Sequence, residues 1–332
     1  MNRTSYTLGC SYIPRELLEA AGNSCCREWP SDTGETGQGY LPYDFCPYSR
    51  AFLSRVLDRK KPVIFANSCD AMRRVYDIIP GDRFLLEVPR KTGDSYREYY
   101  YSQLRELLAY LGKDYNRQVR QGLQRQISLH NKYRSRLKSI MMSLLKKGCS
   151  FQSFFRVLEL YNRGDYRALV ARGSVCEAGK DGERPGVLVV SSCILERELI
   201  NLIESVGLRV VGLDSCYGER YFNFQIIPEH PGDPLQDIAR GYLNKPPCPR
   251  TMEPERRRKL VEGLAEARKA GGIIYFIPKF CDQGSYDFRL IKGYFQKQGL
   301  PVLKIEGEYN LDRSGQLTTR LEAFCESLKI KV

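Results

Sequence analysis

Imidazole is almost missing from this chain: 332 residues include only His130 and His230, alongside a single tryptophan. That removes the commonest general base and the commonest nitrogen ligand from most of the sequence. No Cys-x-x-Cys pair occurs, so zinc-finger spacing is excluded. There is no Gly-x-Ser-x-Gly, and two histidines without a paired nucleophile leave hydrolase triads unsupported. No Walker-type phosphate loop is present either, so ATP binding through one is not expected. The glycine-rich GETGQG at 34–39 has the wrong spacing for a dinucleotide loop and follows no strand, and it reads as a plain loop. Apolar runs of about 18 residues are absent, so no membrane span is expected. The opening MNRTSYTLGCSYIPRE lacks the apolar stretch of a secretory signal, which makes a cytoplasmic protein the expectation.

What the chain does have is cysteine, twelve in all, dispersed from Cys10 to Cys325. In a reducing compartment thiols in such number are more often metal ligands or catalytic groups than bridges. Distant thiolates without histidine favour soft ligation, as in an iron–sulfur cluster. The chain also carries a net charge of +13, concentrated in residues 113–147, where ten Lys or Arg face one Asp. There Ile127, His130, Arg134, Leu137, Met141 and Leu144 recur at helical steps. The segment reads as a solvated helix face or a patch for an anionic ligand or acidic partner. No DNA- or RNA-binding motif accompanies the charge, so nucleic acid is not expected.

Strand candidates alternate with helical stretches: Pro62–Ala66, Arg83–Pro89, Gly186–Ser191, Leu208–Leu213, Gly272–Ile277 and Leu300–Ile305. Such alternation implies βαβ units and parallel sheets. The polar EAGKDGERPG at 177–186 is a natural boundary. The expected fold is α/β, with an N-terminal domain over 1–112, a helical connection over 113–183 and a C-terminal domain over 184–332. In open parallel sheets ligands bind beyond the carboxyl ends of strands. Cys69, Cys193, Cys216 and Cys281 each follow a strand candidate closely, which points to a functional thiolate site.

Together these residues resemble the 2-hydroxyacyl-CoA dehydratase and benzoyl-CoA reductase superfamily, including its double-cubane cluster proteins. The resemblance is carried by Cys10 in GCSYIPRELLEAAG, Cys46 in YLPYDFCPYSRAFL, Cys69 in NSCDAMRRVYD and Cys216 in LDSCYGERYF. It continues through Cys248 in ARGYLNKPPCPR, Cys281 in IPKFCDQGSYDF and the stretch EGEYNLDRSGQLTTRLEAF. It implies two flavodoxin-like domains, with Cys46, Cys69 and Cys281 holding a cubane iron–sulfur cluster between them. Six motif cysteines in one chain favour the double-cubane branch, in which Cys10, Cys216 and Cys248 would hold a second cubane. The resemblance then implies a homodimeric reductase with an 8Fe–9S cluster, fed by an ATP-hydrolysing iron–sulfur activator and acting on a small substrate. The alternatives are a 4Fe–4S subunit of a heterodimeric dehydratase or acyl-CoA reductase, and an electron carrier without its own substrate. In the dehydratase alternative the substrate is an acyl-CoA, and the basic helix could serve its phosphates.

Other motif positions have expected roles. Asp70 and Asp282 would cap helices opening after the ligand cysteines. Arg73 and Arg74 would balance cluster charge or pair with surface acids. Ser314, Gly315 and Gln316 would start the last helix, offering amides to cluster sulfides or an anionic substrate group. Glu308 and Tyr309 would stand at the same edge as proton donors. Cys193 remains a candidate ligand because of its strand-end position, whereas Cys149, Cys176 and Cys325 read as structural.

Overall fold

The fold was obtained as a computed structural model, which describes residues 4–27, 39–171, 184–193, 197–309 and 315–329. Its frame is a pair of four-stranded parallel sheets. The first contains β1 (Ser5–Leu8), β2 (Ser24–Cys26), β3 (Val63–Ala66) and β4 (Arg83–Leu86), in the order β2-β1-β3-β4. The second contains β5 (Gly186–Ser191), β6 (Arg209–Asp214), β7 (Gly272–Pro278) and β8 (Val302–Gly307), in the order β6-β5-β7-β8. The two sheets thus share one strand order and two α/β layers of flavodoxin-like type. The central strands have the composition that burial on both faces demands. All seven residues of β7, GIIYFIP, are buried, as are five of the six in β5.

Thirteen helices accompany the strands among the described residues. The N-terminal part holds α1 (Arg15–Ala20), α2 (Pro47–Arg59), α3 (Asp70–Ile78), α4 (Asp94–Tyr110), α5 (Arg117–Lys146), α6 (Gln152–Arg163) and α7 (Tyr166–Ala171). The remainder are α8 (Arg197–Ser205), α9 (Glu219–Phe222), α10 (Pro234–Asn244), α11 (Pro254–Ala267), α12 (Asp282–Lys297) and α13 (Gly315–Lys329). Among the described residues no helix is long and apolar enough to cross a membrane.

The basic segment is the 30-residue helix α5, capped by the Asn116 side chain, which accepts from the Val119 amide at 3.1 Å. All six positions of its expected stripe are buried. The two polar members are paired: His130 Nε2 lies 3.1 Å from Glu19, and Arg134 donates to Glu16. Most of its basic residues therefore lie on the face turned away from the core. One continuous cluster of buried side chains runs from Val63 and Phe65 through Leu137 and Phe155 to Val187 and Phe276, uniting the two sheets. A second cluster joins Leu8, Leu104 and Leu107 to Ile226, Ile238 and Tyr242. The stretch from Phe224 through α10 to Cys248 thus packs on the N-terminal sheet and its helices.

Candidate metal centre

In each sheet the chain leaves its first strand on one side and its third on the other, so the neighbouring pairs β1/β3 and β5/β7 flank a topological switch point. Ligands collect at the carboxyl edge of such points because the flanking loops diverge and leave a crevice. Cys10 and Cys69 follow β1 and β3, and Cys193 and Cys281 follow β5 and β7. Cys216 follows β6, Cys46 comes from the loop before α2, and Cys248 comes from the stretch after α10. All seven line one cavity of about 360 Å³.

The cavity has two ends, which we name inner (Cys46, Cys193 and Cys281) and outer (Cys10, Cys216 and Cys248) as labels only, since the exposed Phe280 and Tyr286 stand beside Cys281. At the inner end the Cys46 sulfur is within hydrogen-bond reach of both Cys193 and Cys281. Ser192 Oγ lies 3.5 Å from Cys281 Sγ and 3.6 Å from Cys193 Sγ. At the outer end Cys10 and Cys248 lie near Lys245 and Arg250, and Cys216 lies against Arg27. The Arg27 guanidinium donates to the Cys216 carbonyl at 2.6 Å and approaches its sulfur at 3.4 Å. Tyr48 and Tyr217 share a hydrogen bond of 3.0 Å between the ends, and burial pushes both phenols up, so they are neutral hydroxyls.

Cys46, Cys69 and Cys281 are the N-cap residues of α2, α3 and α12. The expected caps, Asp70 and Asp282, instead sit in the first helical turns, one position further on. The thiol takes the cap position because the residue before the first helical one is the cysteine itself. Cys281 Sγ accepts from the Gly284 amide at 3.4 Å. Phe280, just before it, has left-handed backbone at φ 59°, which turns the chain from β7 into α12. The positive end of a helix dipole therefore lies beside each of these three sulfurs, each terminus contributing about 0.3–1 kcal/mol toward an anion.

Without such an anion the thiols resist ionisation. Burial pushes Cys69 up to about 11 despite the amides of Met72 and Ala71. The contact with Cys46, followed by burial, pushes Cys281 up, and the contact with Cys193 does the same to Cys46. Burial also raises Cys10, opposed by Arg250. Metal binding to these thiols must accordingly release protons. Among the described residues no three Cys, His, Asp or Glu side chains are close enough to ligate one metal ion. The sulfurs instead surround a space, an arrangement suited to a polynuclear group. Seven thiols from several elements, three at helix N-termini, fit an iron–sulfur cluster.

The other predicted positions lie elsewhere. Arg73 and Arg74 take the surface-acid option, reaching Glu87 at 3.7 Å and Asp77 at 3.1 Å. Glu308 accepts from Arg50 at 2.7 Å and from Lys279 at 3.3 Å. Burial pushes its carboxyl up, but those partners outweigh it and hold the group below the usual carboxylate range. Tyr309 is part of the core rather than of the cavity wall. Gly315 and Gln316 are exposed at the start of α13, and Ser314 lies outside the described residues, as does Cys176. Cys325 is buried in α13, and Cys149 is disulfide-bonded.

Sequence reasoning missed several residues that shape the site. Arg27, Lys245 and Arg250 carry no sequence signal, because their roles depend on packing between segments far apart in the chain. A buried ionic lattice was missed as well. Arg257 pairs with Asp214 at 2.5 Å and Asp287 at 3.0 Å, while Arg220 donates to the Ser191 and Ser192 carbonyls at 2.6 Å. This lattice fixes the ends of β5 and β6 relative to α12, and with them Cys193, Cys216 and Cys281.

Comparison with known proteins gives the family. The family model described as 2-hydroxyglutaryl-CoA dehydratase, D-component, matches residues 10–328. The chain is 24% identical to the (R)-phenyllactyl-CoA dehydratase beta subunit of Clostridium sporogenes, over 97% of this chain and 91% of that one. It is 20% identical to the lactoyl-CoA dehydratase subunit beta of Anaerotignum propionicum, over 96% and 90% of the respective chains. With (R)-2-hydroxyglutaryl-CoA dehydratase, subunit beta, of Acidaminococcus fermentans the identity is 22%, over 97% and 92%. Matched by that model along nearly its whole length, the chain belongs to the family of the 2-hydroxyglutaryl-CoA dehydratase D-component.

Proposed function

We propose that this protein is a dehydratase-type iron–sulfur enzyme of the double-cubane kind, active as a homodimer and energised by a separate ATP-hydrolysing iron–sulfur activator. The observation that carries the reading is the convergence of all six motif cysteines on one cavity. Cys46, Cys69 and Cys281 would hold one cubane, and Cys10, Cys216 and Cys248 the other, with Cys193 available between them. When bound, the cluster supplies single electrons at low potential to a small substrate.

The chain's own residues do the rest. Three helix N-termini favour the thiolate form at the inner end, and Arg27, Lys245 and Arg250 do so at the outer end. Tyr48, Tyr217 and Met72 shield the sulfurs from water, which strengthens every electrostatic interaction in the cavity. Phe280, Tyr286, Gln283 and Arg90 belong to the same wall, with the Phe280 ring half exposed and Tyr286 largely so. They are the groups a substrate would meet first.

A second reading is favoured by the relatives, which are named as beta subunits of acyl-CoA dehydratases. In that reading the chain holds one 4Fe–4S cubane and works beside a different subunit on an acyl-CoA. Anaerobic purification with iron and sulfide counting separates the two. About eight irons per chain in a homodimer supports the first, whereas about four sinks it.

A further inference from the structure

Arg27 and Arg250 line the outer end of the cavity and Lys245 is buried behind its wall, and among the described residues none of the three is ion-paired with a carboxylate. Arg27 and Lys245 are almost fully inaccessible, and Arg250 is nearly so. Arg27 spends its donors on the Cys216 carbonyl and sulfur, with its guanidinium over the rings of Tyr217 and Tyr221 at 3.9 and 4.6 Å. Lys245 Nζ donates to the Ser11 carbonyl at 2.6 Å and hydroxyl at 2.9 Å, and lies 4.1 Å from the centre of the Tyr12 ring. Arg250 donates to the carbonyls of Val88 and Pro89 and to the Asn67 side chain. The Nε groups of Arg27 and Arg250 and the Tyr12 hydroxyl are buried without a hydrogen-bond partner.

Arg15 is likewise buried without a carboxylate, donating to the Tyr161 and Asn162 carbonyls and the Tyr166 hydroxyl, but three other buried cations are treated differently. Arg134 has Glu16, Arg220 has Asp214, and Arg257 has Asp214 and Asp287. An unpaired buried charge is expensive, and three brought close together favour a buried anion among them. The groups these cations share are the thiols of Cys10, Cys216 and Cys248.

We infer that Arg27, Lys245 and Arg250 are positioning residues that supply the countercharge for an anionic iron–sulfur group on Cys10, Cys216 and Cys248. This rests on the proposed double cubane and adds an asymmetry to it. The inner end is served by helix termini, with partial charges, and the outer end by the full charges of two guanidinium groups, with Lys245 beside them. A cluster half held at the outer end would then be the more easily reduced of the two.

The test uses the full-length protein purified without oxygen, with Lys245→Met and Arg250→Met as neutral variants and Arg250→Lys as the charge-keeping one. Lys279→Met, whose cation pairs with Glu308 outside the cavity, is the control. Metal and sulfide content, a thermal melt and an EPR-monitored redox titration are read on each. The neutral variants should melt as folded proteins and show a midpoint displaced to more negative potential, or lose about half their iron. Arg250→Lys and Lys279→Met should match the parent. Neutral variants with parental iron and parental midpoint overturn the inference while leaving the double cubane standing. A parent protein with about four irons removes both together.

Discussion

A cysteine at a helix N-cap can meet two demands with one atom, accepting from free amides in the empty protein and binding iron in the loaded one. Serine is the better cap, so Cys46→Ser, Cys69→Ser and Cys281→Ser should keep their helices, within about 1 kcal/mol of the parent, while losing cluster iron. Cys325→Ser, remote from the cavity, should retain it. Iron content set beside thermal stability checks both halves, and equal iron in all four variants would refute the ligand assignment. Glu16 offers a test of the scaffold alone. Burial raises its carboxyl, but Arg134, His130 and Tyr242 outweigh burial and lower it from an ordinary 4.5 to about 2. A carboxyl held below its unfolded value contributes stability above that value and loses it as pH falls toward the folded one. About 3 kcal/mol should accordingly disappear between about pH 5 and about pH 2, measurable by urea unfolding across that range. In Glu16→Gln this part of the acid dependence should be absent.

Among the elements, α12 links strand end to site most directly. A Cβ on Gly284 would come within 3.3 Å of Cys281 Sγ. Alanine is the better helix former by about 1 kcal/mol, so Gly284→Ala should hold the fold while pressing on the sulfur. Metal retention should drop by roughly ten-fold or more under chelator challenge, with the melting temperature maintained. Gly218 gives the opposite pattern. There a Cβ would lie 2.7 Å from the Leu213 carbonyl oxygen, so Gly218→Ala should cost about 1–3 kcal/mol in denaturant unfolding. Elements also divide what could be read from sequence from what could not. β5, β6 and β7 are β-branched runs that nearly any reading would find, and their following cysteines led to the site. β1 and β2, SYTL and SCC, were missed because three or four residues carry too little pattern and depend on their neighbours for pairing. Missing β1 hid the strand-end position of Cys10. The aspartates at 70 and 282 were misjudged as caps because composition points to the best capping residue nearby, whereas the backbone turns one residue earlier.

At the scale of the molecule, the shared core decides how the two sheets behave. Val63 and Phe276 belong to one buried cluster, and α10 lies on the sheet to which its own strands do not belong. Calorimetry should therefore find a single cooperative transition, with calorimetric and van't Hoff enthalpies in agreement. Two resolved transitions would mean that the halves fold independently. The return of residues 224–248 to the N-terminal sheet, which brings Lys245 and Cys248 beside Cys10, also bears on how the protein is made. A ribosome-bound chain ending short of Cys281 would have the other six cavity cysteines but neither Cys281 nor Asp287, which completes the ionic lattice. With the proposed cluster, iron delivery would wait for almost the entire polypeptide to emerge, and cluster assembly would be a late checkpoint on a finished fold.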